Sequence, residues 1–75
     1  MNQGIIAVRT LYRLPTVGTI AQRLGVLPHR VVYVIESRGI EPIGQAGHAR
    51  VFAEAAVDRI ASELKRIDAD REGVQ

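Results

Sequence analysis

The feature that most constrains this chain is the window from Thr16 to Arg38, where a single glycine separates two helix-length stretches. Thr16 suits an N-cap, because its hydroxyl can accept from a free N–H of the following turn. It predicts a first helix over Val17–Leu24, with Ile20, Ala21 and Leu24 on one face. Gly25 ends that helix, since glycine adopts the left-handed backbone of a helix C-terminal cap without steric cost. Val26 and Leu27 make a short turn. Pro28 fits the first position of a second helix, where a missing N–H costs nothing. That helix runs to about Arg38, and Gly39 stops it. Small Ala21 lets the second helix cross the first closely. Ile20, Leu24 and Val26 are expected to wedge against Val31, Val34 and Ile35. Two short helices joined by a tight glycine turn and locked along an apolar seam make a helix-turn-helix.

Residues 40–52 change character. Ile40–Ile43 is short and apolar, but Pro42 limits it to an edge strand at best. Gly44 to His48 reads as a flexible five-residue tip. Ala49–Phe52 reads as the returning strand of a hairpin. From Glu54 to Ile67 the pattern is helical again, with Val57, Ile60, Ala61, Leu64 and Ile67 at three-and-four spacing. Glu54 and Asp58 near its start, and Lys65 and Arg66 near its end, suit the helix dipole. The expected organisation is a poorly defined segment at 1–15, a domain at 16–67 and a frayed polar tail at 68–75. Within 1–15, Ile5, Ile6 and Val8 favour a strand, and a short strand or turn is expected around Arg9 to Leu14. The expected fold is mainly α with a small β-hairpin: three helices plus a wing, a winged helix-turn-helix.

Composition narrows the function classes. A chain of 75 residues holds one domain. Its aromatics are Tyr12, Tyr33 and Phe52 alone, so the core must be aliphatic. There is no cysteine, which excludes disulfides and Cys-based zinc sites and fits a reducing compartment. No stretch approaches the ~20 apolar residues of a membrane span. The N-terminus lacks a secretory pattern. A cytoplasmic protein is expected, nucleoid-associated if the source is bacterial or phage. No Ser/His/Asp order, phosphate loop or carboxylate–histidine cluster is visible, so no catalytic, metal or cofactor site is expected. Gly44 and Gly47 are too sparse for a nucleotide fingerprint. The net charge is +2, unevenly spread. Residues 1–52 carry six arginines against Glu36 and Glu41, a net of +4, while residues 53–75 carry a net of −2. Arginine suits forked contacts with phosphate and with guanine edges.

Several segments together carry a family likeness. They are Thr19-Ile20-Ala21-Gln22-Arg23-Leu24-Gly25-Val26, Pro28, Arg38-Gly39-Ile40-Glu41-Pro42 and Gly47-His48-Ala49-Arg50-Val51-Phe52. The chain from 16 to about 64 resembles the DNA-binding domain of MerR-type regulators and the related excisionase-like domains. The resemblance implies binding to double-stranded DNA, as dimers or arrays, by transcriptional regulators, recombination directionality factors or phage packaging proteins. The sequence departs from the MerR pattern in mid-helix. An arginine and two aromatics are usual there, whereas Val32, Tyr33 and Val34 stand here and only Tyr33 matches. The span from Gly25 to Gly39 is one residue longer than usual in that family. The long pairing helix and the effector domain of MerR proteins have no counterpart in the sequence, so no small-molecule effector is expected.

With Val31, Val34 and Ile35 facing inward, the opposite face of the second helix holds His29, Tyr33 and Glu36, flanked by Arg30, Val32 and Ser37. These six are the candidate base-reading residues. His29 and Arg30 can donate to guanine, Glu36 can accept from a cytosine amino group, and Val32 can meet a thymine methyl. Thr16, Thr19, Arg23, Arg38, Gln45, His48 and Arg50 are the candidate backbone or wing contacts. Arg38 is alternatively placed to satisfy the helix-end carbonyls beside Gly39. Arg50 is alternatively placed to pair with Glu54 or Glu41. The rival reading of the whole domain is a helix-turn-helix protein–protein interaction module with little DNA affinity, since fold does not fix function.

Overall fold

The computed structural model describes residues 14–73. The elements run α1 (Val17–Leu24), α2 (Pro28–Arg38), β1 (Gly44–Ala46), β2 (Ala49–Val51) and α3 (Glu54–Gly73). Among the described residues the fold is therefore mainly helical, with three helices and one two-stranded antiparallel hairpin. The expected strand or turn at Arg9–Leu14 falls, but for Leu14, outside the described residues.

Local chemistry explains both short helices. The Thr16 hydroxyl accepts from the Thr19 N–H at 3.3 Å, and the Thr19 hydroxyl accepts from the Thr16 N–H at 2.7 Å. This is a reciprocal capping box with threonine where glutamate or glutamine is usual. At the other end Gly25 sits at φ 68°, and Val26 N–H donates to Ala21 O at 3.0 Å while Gly25 N–H donates to Gln22 O at 3.3 Å. That pair of bonds is the Schellman closure. Leu27 precedes α2 without offering a side-chain cap, so Pro28 alone sets its start. Gly39 closes α2 at φ 63°, with Ile40 N–H donating to Ile35 O at 2.9 Å.

The core is aliphatic around one aromatic ring. Ile20, Val31, Val34, Phe52 and Ile60 are fully buried, with Ala21, Ile35, Ile40, Val57 and Leu64 around them. The three helices contribute, with Ile40 and Phe52 from the segments flanking the hairpin, and Val51 of β2 is buried as well. Val17, Leu24, Val26 and Ile67 pack at its margin.

Two sequence expectations are corrected. The hairpin is displaced toward its tip: Ile40–Ile43 forms no strand, and the expected tip residues Gly44, Gln45 and Ala46 are themselves β1. Register pairs Gly44 with Val51, Gln45 with Arg50 and Ala46 with Ala49. This leaves Gly47-His48 as a two-residue turn. Gly47 takes φ 64° while His48 does not take a positive φ, the pattern of a type II′ hairpin turn. The second correction concerns α3, which continues past Ile67 to Gly73 rather than fraying from Asp68. Polar residues do not by themselves break a helix, and no glycine or proline intervenes before Gly73.

The hairpin is tied down on both sides of β2. Ile43 N–H donates to Val51 O at 2.9 Å, just beyond β1. On the other side Thr16 bridges Val51, and Phe52 N–H donates to Pro15 O at 2.8 Å. The start of α1 thus lies against the strand that carries Arg50. Among the described residues no helix is long and apolar enough to cross a membrane.

Candidate nucleic-acid interface

α2 presents the predicted row. Val31, Val34 and Ile35 are buried, and His29, Tyr33, Glu36 and Ser37 are exposed, with Tyr33 at 59%. Arg30 and Val32 are half-buried on the flanks. The exposed row offers an imidazole, a phenol, a carboxylate and a hydroxyl, a mixture of donors and acceptors of the kind that base edges require.

The hairpin presents a second group. Gln45 and Arg50 are direct cross-strand partners and both are exposed, so their side chains share one face. His48 is exposed in the turn. Pro42, Ile43, Gln45 and Arg50 border a shallow concavity of about 540 Å³. Ile43 is 56% exposed, an apolar contact surface beside the Arg50 guanidinium. Thr16 lies against β2 through its bridge to Val51, but the hydroxyls of Thr16 and Thr19 are committed to the cap of α1.

The arginines of the two helices are engaged elsewhere. Arg23 grips Glu54 as a two-pronged fork, Nη1 to Oε2 at 3.3 Å and Nη2 to Oε1 at 3.0 Å. Arg38 Nε donates to Glu63 Oε1 at 2.8 Å, and Arg66 approaches the other oxygen of Glu63 at 3.5 Å. Arg30 Nη2 donates to Asp68 Oδ1 at 2.6 Å. All three carboxylates come from α3. Arg38 therefore does not cap its own helix; Arg59 from α3 reaches the Arg38 carbonyl at 3.4 Å instead. Arg50 takes part in none of the ion pairs among the described residues, and Glu54, one of its two expected partners, belongs to Arg23.

Two of these pairs, Arg23 with Glu54 and Arg38 with Glu63, perturb the groups involved. The hydrogen bond from Arg23 holds the Glu54 carboxyl below the ordinary glutamate value, with partial desolvation opposing it and the Arg23 charge assisting. The hydrogen bond from Arg38 does the same for Glu63, again against desolvation, with the charges of Arg38, Arg66 and Arg59 adding to it. The same hydrogen bonds raise Arg23 and Arg38 further above an already high value, so both stay charged at every accessible pH.

The assembled site thus has two parts. One is a polar row on α2 whose flanking arginine is held back against α3. The other is a hairpin face with Gln45 and with Arg50, which forms no ion pair among the described residues. Glu63 and Asp68 were not anticipated as partners, and Glu54 was expected to meet Arg50 where it meets Arg23 instead. Comparison with known proteins finds no matching family model, no matching curated protein and no matching solved structure.

Proposed function

We propose that the chain is a winged helix-turn-helix domain that binds double-stranded DNA, with α2 in the major groove and the hairpin on the backbone or in the minor groove. The observation that carries this reading is the pairing of two surfaces. A helix whose inner face is buried displays His29, Tyr33, Glu36 and Ser37, and the short hairpin that follows it along the chain displays Arg50 with no carboxylate partner among the described residues. A major groove about 12 Å wide admits such a helix, and a phosphate-facing arginine fixes its register. The resemblance to MerR-type and excisionase-like domains supports the same reading, with a role in transcription or recombination and with binding as dimers or arrays.

Base reading falls mainly to His29, Tyr33 and Ser37, since Arg30 is held by Asp68. Backbone contact falls to Arg50, with Gln45 and His48 beside it. The test is fluorescence anisotropy of a labelled random duplex over a salt series. Affinity should fall steeply with salt, and Arg50→Ala should reduce the slope of log K against log salt by about 0.9 on every sequence tested. His29→Ala should change base preference and leave that slope nearly intact.

A second reading has its own observation. Leu27 and Tyr33 are 62% and 59% exposed at the turn and on α2, which suits a dry partner surface. In that reading the domain is a protein-interaction module. Absence of binding to random duplex at low salt decides in its favour.

A further inference from the structure

Three carboxylates show how α3 runs. Glu54, at its start, meets Arg23; Glu63 meets Arg38 at the C-terminal end of α2; Asp68 meets Arg30 in the first turn of α2. α3 therefore runs back along α2, and its last turns reach the N-terminal end of the proposed reading helix. Those turns lie beyond Ile67, the last α3 side chain packed against the core. There Asp68 shares the neighbourhood of a groove of about 300 Å³ lined by His29, Arg30, Tyr33, Leu64, Ile67 and Arg71.

The three ion pairs are not alike. Glu63 is only 15% exposed and is held by two arginines, so its pair with Arg38 is part of the packing. Asp68 is 50% exposed and holds Arg30 through one oxygen. A solvated pair of this kind is worth little, because water and salt compete for both partners. A phosphate offers the guanidinium the same charge-assisted bonds, with room for a two-pronged contact. Arg30 also lines the same groove as His29 and Tyr33, whereas Arg23 lies on α1.

We propose that Asp68 is an intramolecular competitor for phosphate, holding Arg30 against α3 and so setting the affinity of the domain for duplex DNA. The proposal rests on the DNA-binding reading above. Arg30 contributes little while Asp68 is charged and in place. When the carboxylate is neutralised, or displaced by a phosphate, Arg30 becomes one further backbone contact at the N-terminal end of α2. Such a device keeps non-specific binding weak in a chain whose first 52 residues are basic.

The test is a salt series on random duplex with the full chain and four variants: Asp68→Asn, Arg30→Ala, the two combined, and Asp70→Asn. Asp70 is exposed on the same end of α3 and removes the same charge without touching Arg30 in the ion pairs among the described residues. Asp68→Asn should steepen the salt slope by about 0.9, which is about an eightfold tighter complex at 0.1 M salt. Arg30→Ala alone should change little, and combined with Asp68→Asn it should abolish the gain. Asp70→Asn should leave the slope unchanged. Far-UV circular dichroism checks that each variant is folded. If Asp68→Asn binds like Asp70→Asn, or binds more weakly than the unaltered chain, the competitor role is overturned. If neither the unaltered chain nor any variant binds at low salt, the DNA-binding reading itself fails and the competitor role falls with it.

Discussion

α2 and the hairpin dispose of their arginines in opposite ways. Arg30 and Arg38 project from the two ends of α2, and α3 takes up both through Asp68 and Glu63. Arg50 projects from a strand of three residues and pairs with no carboxylate among the described residues. The helix is thus rich in cations by sequence and poor in available ones, and the hairpin is the reverse. Helical phase decides which face a side chain occupies. Whether its charge is free to meet a ligand depends on what the neighbouring element carries. The division of labour that follows is shape and hydrogen bonding from α2, and phosphate contact from the hairpin.

That comparison assumes that the hairpin is held rigidly against the helical core, where β2 meets the start of α1. Phe52 is the side chain that holds it, fully buried where β2 leads into α3. Phe52→Ala should cost about 3–5 kcal/mol, since it empties the largest side chain of the core. This is a large share of the roughly 5–15 kcal/mol that stabilises an ordinary domain. Urea unfolding should show one transition shifted as a whole. A hairpin that melts separately, with helices keeping their original midpoint, would mean that the two regions are independent.

The angle between α1 and α2 rests on Gly25, at φ 68° with open space around the position of a Cβ. Gly25→Ala therefore tests backbone strain alone, and a loss of about 1–2 kcal/mol is expected. An unchanged midpoint in thermal melts would show that the turn can relax without cost.

Exchanging the two kinds of arginine sharpens the contrast further. Arg50→Ala should weaken duplex binding several-fold and leave thermal stability untouched, while Arg38→Ala should lower stability and leave the salt slope of binding untouched. Similar behaviour of the two variants in both assays would erase the distinction between hairpin and helix.

The smallest effect is one of pH. Glu54 and Glu63 are held below the ordinary glutamate value of 4.5 by Arg23 and Arg38. A carboxylate with a depressed folded-state value stabilises the fold above its unfolded value, and that stability is lost as pH falls through the folded one. The melting temperature should thus be flat from neutrality to about pH 5 and then decline below 4.5, a decline that the Glu54→Gln/Glu63→Gln variant should show less steeply.

Most of the helical frame was legible in the sequence because local chemistry specifies it. Thr16, Gly25, Pro28 and Gly39 each do one job at a helix end, and the structure uses all four as expected. The inward set Val31, Val34 and Ile35 follows from the period of the helix alone. The hairpin was legible in outline but not in register. Pro42 and the run of small residues after it suggested a loose tip, whereas backbone pairing with Val51 and the positive φ of Gly47 draw Gly44–Ala46 into a strand. The length of α3 and the three arginine–carboxylate pairs were not legible. They depend on which elements lie side by side, and nothing in the spacing of Glu54, Glu63 and Asp68 names a partner on another helix. The exposure of His29, Tyr33 and Glu36 follows from the helical period, whereas the engagement of Arg23, Arg30 and Arg38 by carboxylates of α3 does not.

The most direct measurement is an amide chemical-shift map of the labelled protein during titration with duplex DNA at low salt. DNA recognition through α2 and the hairpin predicts shifts concentrated at His29, Tyr33 and Ser37 and at Gln45, His48 and Arg50, with the buried face of α2 and the first half of α3 nearly silent. Shifts confined to α3 or to the Leu27 turn, or no shifts at all, would contradict it.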